Sequence, residues 1–386
     1  MTDDATIRPF RIDIQQIDLD DLSDRLARTR WPSESPEPGW SRGVPLDYLR
    51  ELARYWATGF DWRTQEAELN QFHQFVTTIA GQDIHFLHVR SPEPAARALL
   101  LIHGWPSSPF EFRKVIGPLT DPRAHGLDPA AAFHVVIPSL PGYGFSTPVT
   151  APGAGNLFGV AQQFAELMNR LGYQQFAVQA TDVGSGVAGM LPIVASNRVI
   201  GTHLTGTVAA MPFGPAVDVD GLSDADRTRA ERFNHFQADG LGYLQLQSTR
   251  PQTLAYALTD SPVGQAAWIY EKFGEWTESN HDPESVLTRE EILNNISLYW
   301  LTSTATSSAR LYAESFYTDF STQKLDFPVA VSVFPGELYR PLKLWAERIY
   351  PQLFYWNEVA KGGHFAAFEQ PGIFVGELRQ AFRKFR

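Results

Sequence analysis

Four short, almost unbroken apolar runs constrain this chain more than anything else in it. They are Ala98-Leu99-Leu100-Leu101-Ile102, His134 to Ile137, Phe176 to Gln179, and Val329-Ala330-Val331-Ser332-Val333. A strand with one wet face alternates apolar and polar residues. A run without alternation is covered on both faces, as in a parallel sheet layered with helices. Leu157 to Leu171 has the length and pattern of one such helix. Ahead of these runs, Phe75 to Ile79 and Ile84 to Val89 flank Gly81-Gln82 and predict a β-hairpin.

The first eighty or so residues differ, reading as helices and turns. Leu19, Leu22 and Leu26 share one face of a helix predicted over Leu19 to Thr29, which stops before Trp31-Pro32. A second helix is predicted over Pro45 to Thr58. From Met211 to about Leu325 the chain again reads as helical and is rich in Tyr, Trp and Phe. Thr288-Arg289-Glu290-Glu291 has the spacing of a capping box. A helical stretch between strand-bearing pieces predicts a core carrying an inserted lid. The 386 residues suffice for two domains, or for one large domain with an insertion.

Composition removes several kinds of function. There is no cysteine, so no disulfide framework, thiolate metal site or Cys nucleophile is available. A net charge of −11 argues against nucleic acid and anionic membrane as partners. The apolar runs are strand-length and far short of the ~20 residues that span a bilayer. Met1-Thr2-Asp3-Asp4 lacks the apolar run of a signal peptide. The expectation is a soluble, cytoplasmic protein.

Chemistry concentrates at three places. Asp182 follows the apolar run ending at Gln179 and sits between Ala180 and Gly184. A strand-to-helix elbow needs small residues at those two positions, because the nucleophile's backbone is strained and closely packed. Asp182 there serves either as a carboxylate nucleophile or as the N-cap of the next helix. Ser185 is the rival nucleophile, but Val183 and Val187 flank it where small residues belong.

His103-Gly104-Trp105-Pro106 follows the first apolar run. The Trp105 N–H and the Val183 N–H could form an oxyanion hole, with His103 as a structural hydrogen-bonder. Leu140-Pro141-Gly142-Tyr143-Gly144-Phe145-Ser146 reads as a rigid turn. Near the C-terminus, Lys361-Gly362-Gly363-His364-Phe365 offers His364 as a general base. Glu337, just past the run ending at Val333, is its orienting acid. Asp326 is the rival, placed where a strand begins.

These motifs resemble the microsomal-type epoxide hydrolases of the α/β-hydrolase superfamily, in a soluble actinobacterial form. Arg30-Trp31-Pro32, Gly39-Trp40 and Phe60-Asp61-Trp62-Arg63 are similar to that family's N-terminal extension. His103-Gly104-Trp105-Pro106, Phe334-Pro335-Gly336-Glu337 and Gly362 to Glu369 resemble its oxyanion, acid and base segments.

The resemblance implies an α/β-hydrolase fold with a mostly parallel sheet. It divides the chain into an extension (1–73), a core (74–210 and 326–386) and a helical lid (211–325). It also implies two lid tyrosines that hydrogen-bond the epoxide oxygen. Gly242-Tyr243 before Gln247 to Pro251, and Ser307 to Tyr312, match their settings. Tyr256 and Tyr317 read as packing, and Asp260 to Gly264 and Glu271-Lys272-Phe273 as shaping the lid.

The implied activity is hydrolysis of an apolar, aromatic epoxide to a vicinal diol without metal or organic cofactor, as in tailoring steps of natural-product pathways. No nucleic acid or membrane partner is implied, and a homodimer is allowed. The family's usual elbow is Gly-Gly-Asp-Trp-Gly, and this chain has Ala180-Thr181-Asp182-Val183-Gly184, which changes one wall of the pocket. Pro192 predicts a kinked or short helix after the elbow. Two other functions use the same residues. A haloalkane dehalogenase shares the Asp-His pair but wants a halide-binding side chain, typically Asn, where Trp105 stands. A catalytically quiet binding relative would be consistent with the altered elbow.

Overall fold

A computed structural model describes residues 5–37, 39–149, 153–206, 216–315 and 325–385. Among them a nine-stranded sheet runs in the order β1-β2-β3-β5-β4-β6-β7-β8-β9. The strands are β1 (Arg8–Phe10), β2 (Gln74–Ile79), β3 (Gln82–Val89), β4 (Arg97–Ile102), β5 (Phe133–Pro138), β6 (Phe176–Thr181), β7 (Val199–Thr205), β8 (Val329–Val333) and β9 (Leu353–Glu358). β1 to β3 pair antiparallel, as does β3 with β5, and every pairing from β5 through β9 is parallel. All four apolar runs are strands, and Leu99 to Ile102 and Val329 to Val333 are fully enclosed. Helices on both faces exclude water from them, so no alternation is needed.

Three strands lie outside the predicted set. β7 reads Val199-Ile200-Gly201-Thr202-His203-Leu204-Thr205, and its buried polar members break the apolar run. His203 is tolerated because its Nε2 bonds the Ser332 hydroxyl at 2.9 Å on neighbouring β8. β1 has only three residues, and the edge strand β9 is half-buried throughout most of its length.

The predicted helices appear with shifted ends, as Gln16–Ala27, Leu46–Thr58 and Leu157–Arg170. The helix Asp182–Val194 passes through Pro192 without stopping there. Pro192 lies in its last turn, where it interrupts little of the remaining hydrogen-bond ladder.

Between β7 and β8 the described chain is helical, including Asp224–His235, Gly242–Thr249, Pro251–Asp260, Pro262–Trp276, Arg289–Leu301 and Ala305–Ser315. Thr288 and Glu291 form the predicted capping box. Residue 211, where this segment is expected to begin, lies outside the described residues, as does Tyr317. Tyr256 does not pack as expected: it is 72% exposed, on the outer face of a helix that buries Ala255 and Leu258 instead.

The N-terminal residues grip these helices. Trp56 Nε1 donates to Ser297 Oγ at 2.9 Å, Tyr48 bonds both Tyr270 and Glu284, and Arg25 donates to the Asp260 carbonyl at 2.8 Å. The helix Arg289–Leu301 in turn holds the loop after β4. Asn295 Nδ2 donates to the Pro106 carbonyl at 2.6 Å and the Tyr299 hydroxyl to that of Ser107 at 2.7 Å. Contacts from residues far apart in sequence thus fix the loop that carries the Trp105 N–H.

Candidate active site

Asp182 is the turning point between β6 and the following helix. Its φ is +50°, a left-handed conformation that costs a non-glycine residue about 1–2 kcal/mol and persists only when surroundings enforce it. They do so by crowding. A Cβ on Gly184 would lie 2.6 Å from the His103 carbonyl oxygen, and one on Gly104 would lie 2.3 Å from the Asp182 Cβ. The strained backbone lifts the carboxylate above the carboxyl end of the sheet. Ser185 is buried within the first turn of the helix, away from the elbow position.

The carboxylate is held from two sides. The Trp105 N–H donates to Asp182 Oδ1 at 2.9 Å, and His364 Nε2 stands 3.5 Å from Oδ2. On its other side the imidazole donates from Nδ1 to Glu337 Oε1 at 2.5 Å. His364 and Glu337 are both 2% exposed. Burial alone would lower the His364 pKa. Glu337 and Asp182 outweigh it, and the imidazole is held well above its ordinary value. Asp326, the rival acid, is exposed and accepts from Gln352 instead.

The loop that carries His364 is clasped by neighbouring residues. Glu369 accepts from the N–H groups of Gly363 (3.0 Å), Phe365 (3.2 Å) and Glu278 (2.9 Å). Burial pushes its carboxyl up to about 7 against the pull of those three donors. The His364 N–H donates to the Trp276 carbonyl at 2.8 Å. Glu337 depends on a residue the sequence did not flag. Gly206, at φ +72°, sits where a Cβ would lie 2.0 Å from Glu337 Oε2.

Aromatic rings close the site. The Tyr243 ring stacks on Trp105 with centroids 5.1 Å apart and planes 9° from parallel. Tyr312 meets Tyr243 and Trp105 edge-on at 6.4 and 6.3 Å. Trp276 packs against Tyr243 at 5.2 Å and His364 at 5.1 Å. Both phenols are buried, and burial followed by the Asp182 charge raises their pKa well above the ordinary value. The Tyr312 hydroxyl has no hydrogen-bond partner among the described residues. Val183 is half-buried.

His103 behaves as the structural hydrogen-bonder expected of it. Its Nε2 accepts from the Leu140 N–H at 3.1 Å, leaving Nδ1–H for the Gly104 carbonyl, and burial lowers its pKa to about 4. Two buried groups near Asp182 escaped the sequence reading. Tyr143, in the turn read as architecture, is fully enclosed, and burial and Asp182 raise its pKa well above the ordinary value. Burial pushes the Glu111 carboxyl up to about 8, and Glu111 Oε2 is unpartnered among the described residues. Nothing in the local sequence around either marks it as close to Asp182.

Residues 7–112 match the family model described as "Epoxide hydrolase N terminus", and residues 97–253 match the "alpha/beta hydrolase fold" model. A Stigmatella aurantiaca protein named "Putative epoxide hydrolase" is 50% identical over 98% of this chain and 86% of its own length. "Epoxide hydrolase 1" of Sus scrofa is 35% identical over 98% of this chain and 89% of its own. The chain belongs to the epoxide hydrolase family. The solved Aspergillus niger epoxide hydrolase superimposes on this epoxide hydrolase family member with a TM-score of 0.87, at 31% identity over 98% of this chain and 96% of that one. The sheet and its helices are therefore an α/β-hydrolase fold. No helix among the described residues of the hydrolase is long and apolar enough to cross a membrane.

Proposed function

We propose that this epoxide hydrolase opens an apolar, aromatic epoxide to a vicinal diol through an ester on Asp182. The observation that carries the reading is the double hold on the Asp182 carboxylate. One oxygen faces the Trp105 N–H and the other the His364–Glu337 pair, with the rings of Tyr243 and Trp105 stacked beside it. An Asp182 oxygen attacks an epoxide carbon, and the carbon–oxygen bond of the ring breaks. Tyr243 and Tyr312 donate to the departing oxygen and supply its proton. Both phenols are neutral and so keep the O–H that donates, while burial and the Asp182 charge hold its proton more tightly.

Ester formation also frees the base. Asp182 loses its charge when alkylated, and with it goes one of the interactions that raise the His364 pKa. The imidazole then returns more readily to its neutral form, the form able to take a proton from water, while Glu337 fixes its tautomer. Hydroxide adds to the ester carbonyl, and the N–H groups of Trp105 and Val183 hold the oxyanion until the ester C–O bond breaks. The leaving diol oxygen takes the imidazolium proton, and the proton on the new Asp182 carboxyl returns to the phenolate, restoring both groups.

The walls around this path are Trp105, Trp276, Tyr243 and Tyr312, which favour an apolar substrate bearing an aromatic ring. Trp105 occupies the place where a dehalogenase wants a halide-binding amide, which disfavours that reading. The test is to incubate a His364→Gln variant with styrene oxide and digest it for mass spectrometry. An adduct of styrene oxide on the Asp182 peptide is expected. Free Asp182 after complete mixing would refute the ester.

A further inference from the structure

Lys272, on the helix Pro262–Trp276, has a side chain only 5% exposed. Lysine is almost never that deeply buried unless paired. Its ammonium donates to Glu271 and, at 3.0 Å, to Glu275. Those carboxylates are 30% and 36% exposed, so the same pairs could form with the ammonium nearer to water. Burial instead places Nζ 5.1 Å from the centre of the Tyr243 ring and 5.7 Å from that of Trp276. Both lie within cation–π reach of about 6 Å. The mechanism above leaves this charge unused.

We propose that Lys272 is a positioning residue for ring opening, holding a positive charge against the Tyr243 ring so that the Tyr243 O–H donates more strongly to the opening epoxide. The inference rests on Tyr243 acting as that donor. As the proton moves, negative charge grows on the phenol oxygen and spreads into the ring. A cation beside the ring stabilises that charge more than the neutral phenol, so its effect falls on the transition state. Glu275 works the other way: after burial, Asp182 and Tyr339, it adds to the rise in the Tyr243 pKa. Lys272 offsets Glu275 where Tyr243 meets it.

The test is single-turnover kinetics with styrene oxide on the full chain, following ester formation and ester hydrolysis separately. Lys272→Met keeps the length and apolar stem. It should slow ester formation about tenfold and change hydrolysis less than about twofold. Lys272→Arg should recover most of the loss, since a guanidinium also stacks on aromatic faces. Glu275→Gln, at a more exposed position, should accelerate ester formation about twofold. In a Tyr243→Phe background, Lys272→Met should add no further loss.

Equal slowing of both steps by Lys272→Met would show a merely structural role and overturn the proposal. So would a Glu275→Gln variant that does not accelerate, including where Lys272→Met fails to fold. If Tyr243→Phe forms the ester at the wild-type rate, the tyrosine's role has failed and this inference with it. If Tyr243→Phe is slow while Lys272→Met matches wild type, the inference alone is wrong.

Discussion

Gly206→Ala should leave the nucleophile in place and disable the base. Gly206 adopts φ +72°, where an L-residue costs about 1–2 kcal/mol, and this fraction of stability should be lost on thermal or urea unfolding. The larger effect is local. A Cβ there lies 2.0 Å from Glu337 Oε2, and an ordinary contact needs about 3.4 Å, so the carboxylate must withdraw by about 1.4 Å. The Glu337–His364 bond is 2.5 Å, and a shift of that size takes it beyond hydrogen-bond reach. Loss of the orienting acid in a related triad costs roughly 10⁴-fold. Because Glu337 keeps its charge nearby, a loss of about 100-fold in ester hydrolysis is expected here. Ester formation, which does not need His364 as a base, should change less than about fivefold. Rapid-mixing kinetics with styrene oxide would therefore show a burst of ester followed by slow diol release. A variant that folds and hydrolyses its ester at the wild-type rate would refute the coupling between Gly206 and the base.

Tyr243→Phe and Tyr312→Phe should each slow ester formation by about 100-fold, the scale for removing one donor from an oxyanion, and the double variant should nearly abolish it. Quenched-flow measurement of the ester checks this, and loss confined to hydrolysis would count against the assignment. Glu369→Gln keeps the side chain's shape but replaces one of its two accepting oxygens with an amide that only donates, so it should loosen the loop of three N–H groups and slow ester hydrolysis about tenfold with little change in ester formation. Acid should unfold the protein through its buried histidines. Burial lowers the pKa of His85 and His203 to about 3 and of His103 to about 4, all from 6.5. Depressed folded values mean that the stability is present above about pH 6.5 and lost as pH falls toward about 4, by about 2 kcal/mol per histidine at about pH 5. Urea midpoints between about pH 7.5 and about pH 5 measure it, and midpoints independent of pH would contradict the burial.

The residues legible in the sequence are those whose chemistry needs a local pattern. Asp182 showed itself because an elbow demands Ala180 and Gly184 beside it. Glu337 stood out as a carboxylate just past the apolar run ending at Val333, and His364 as an imidazole after the glycine pair Gly362-Gly363. The parallel strands were readable wherever helices cover both faces, as at β4 and β8. β7 was hidden because buried polar residues interrupt its apolar run, His203 bonding Ser332 on the neighbouring strand. Gly206, Glu111 and Tyr143 were hidden for a related reason. Each matters through a neighbour distant in sequence, and nothing in the flanking residues records that approach. Tyr256 shows the converse, an aromatic residue read as packing that faces water because its helix buries its other side.

The central claim is that Asp182 itself bonds to carbon. Excess enzyme and a limiting amount of styrene oxide in ¹⁸O-labelled water, followed by peptide mass spectrometry, tests it most directly. Water attacks the ester carbonyl in this account, so one turnover should leave ¹⁸O in the Asp182 carboxylate and none in the diol. Label in the diol, with Asp182 unlabelled, would mean that water attacks the epoxide directly and would contradict it.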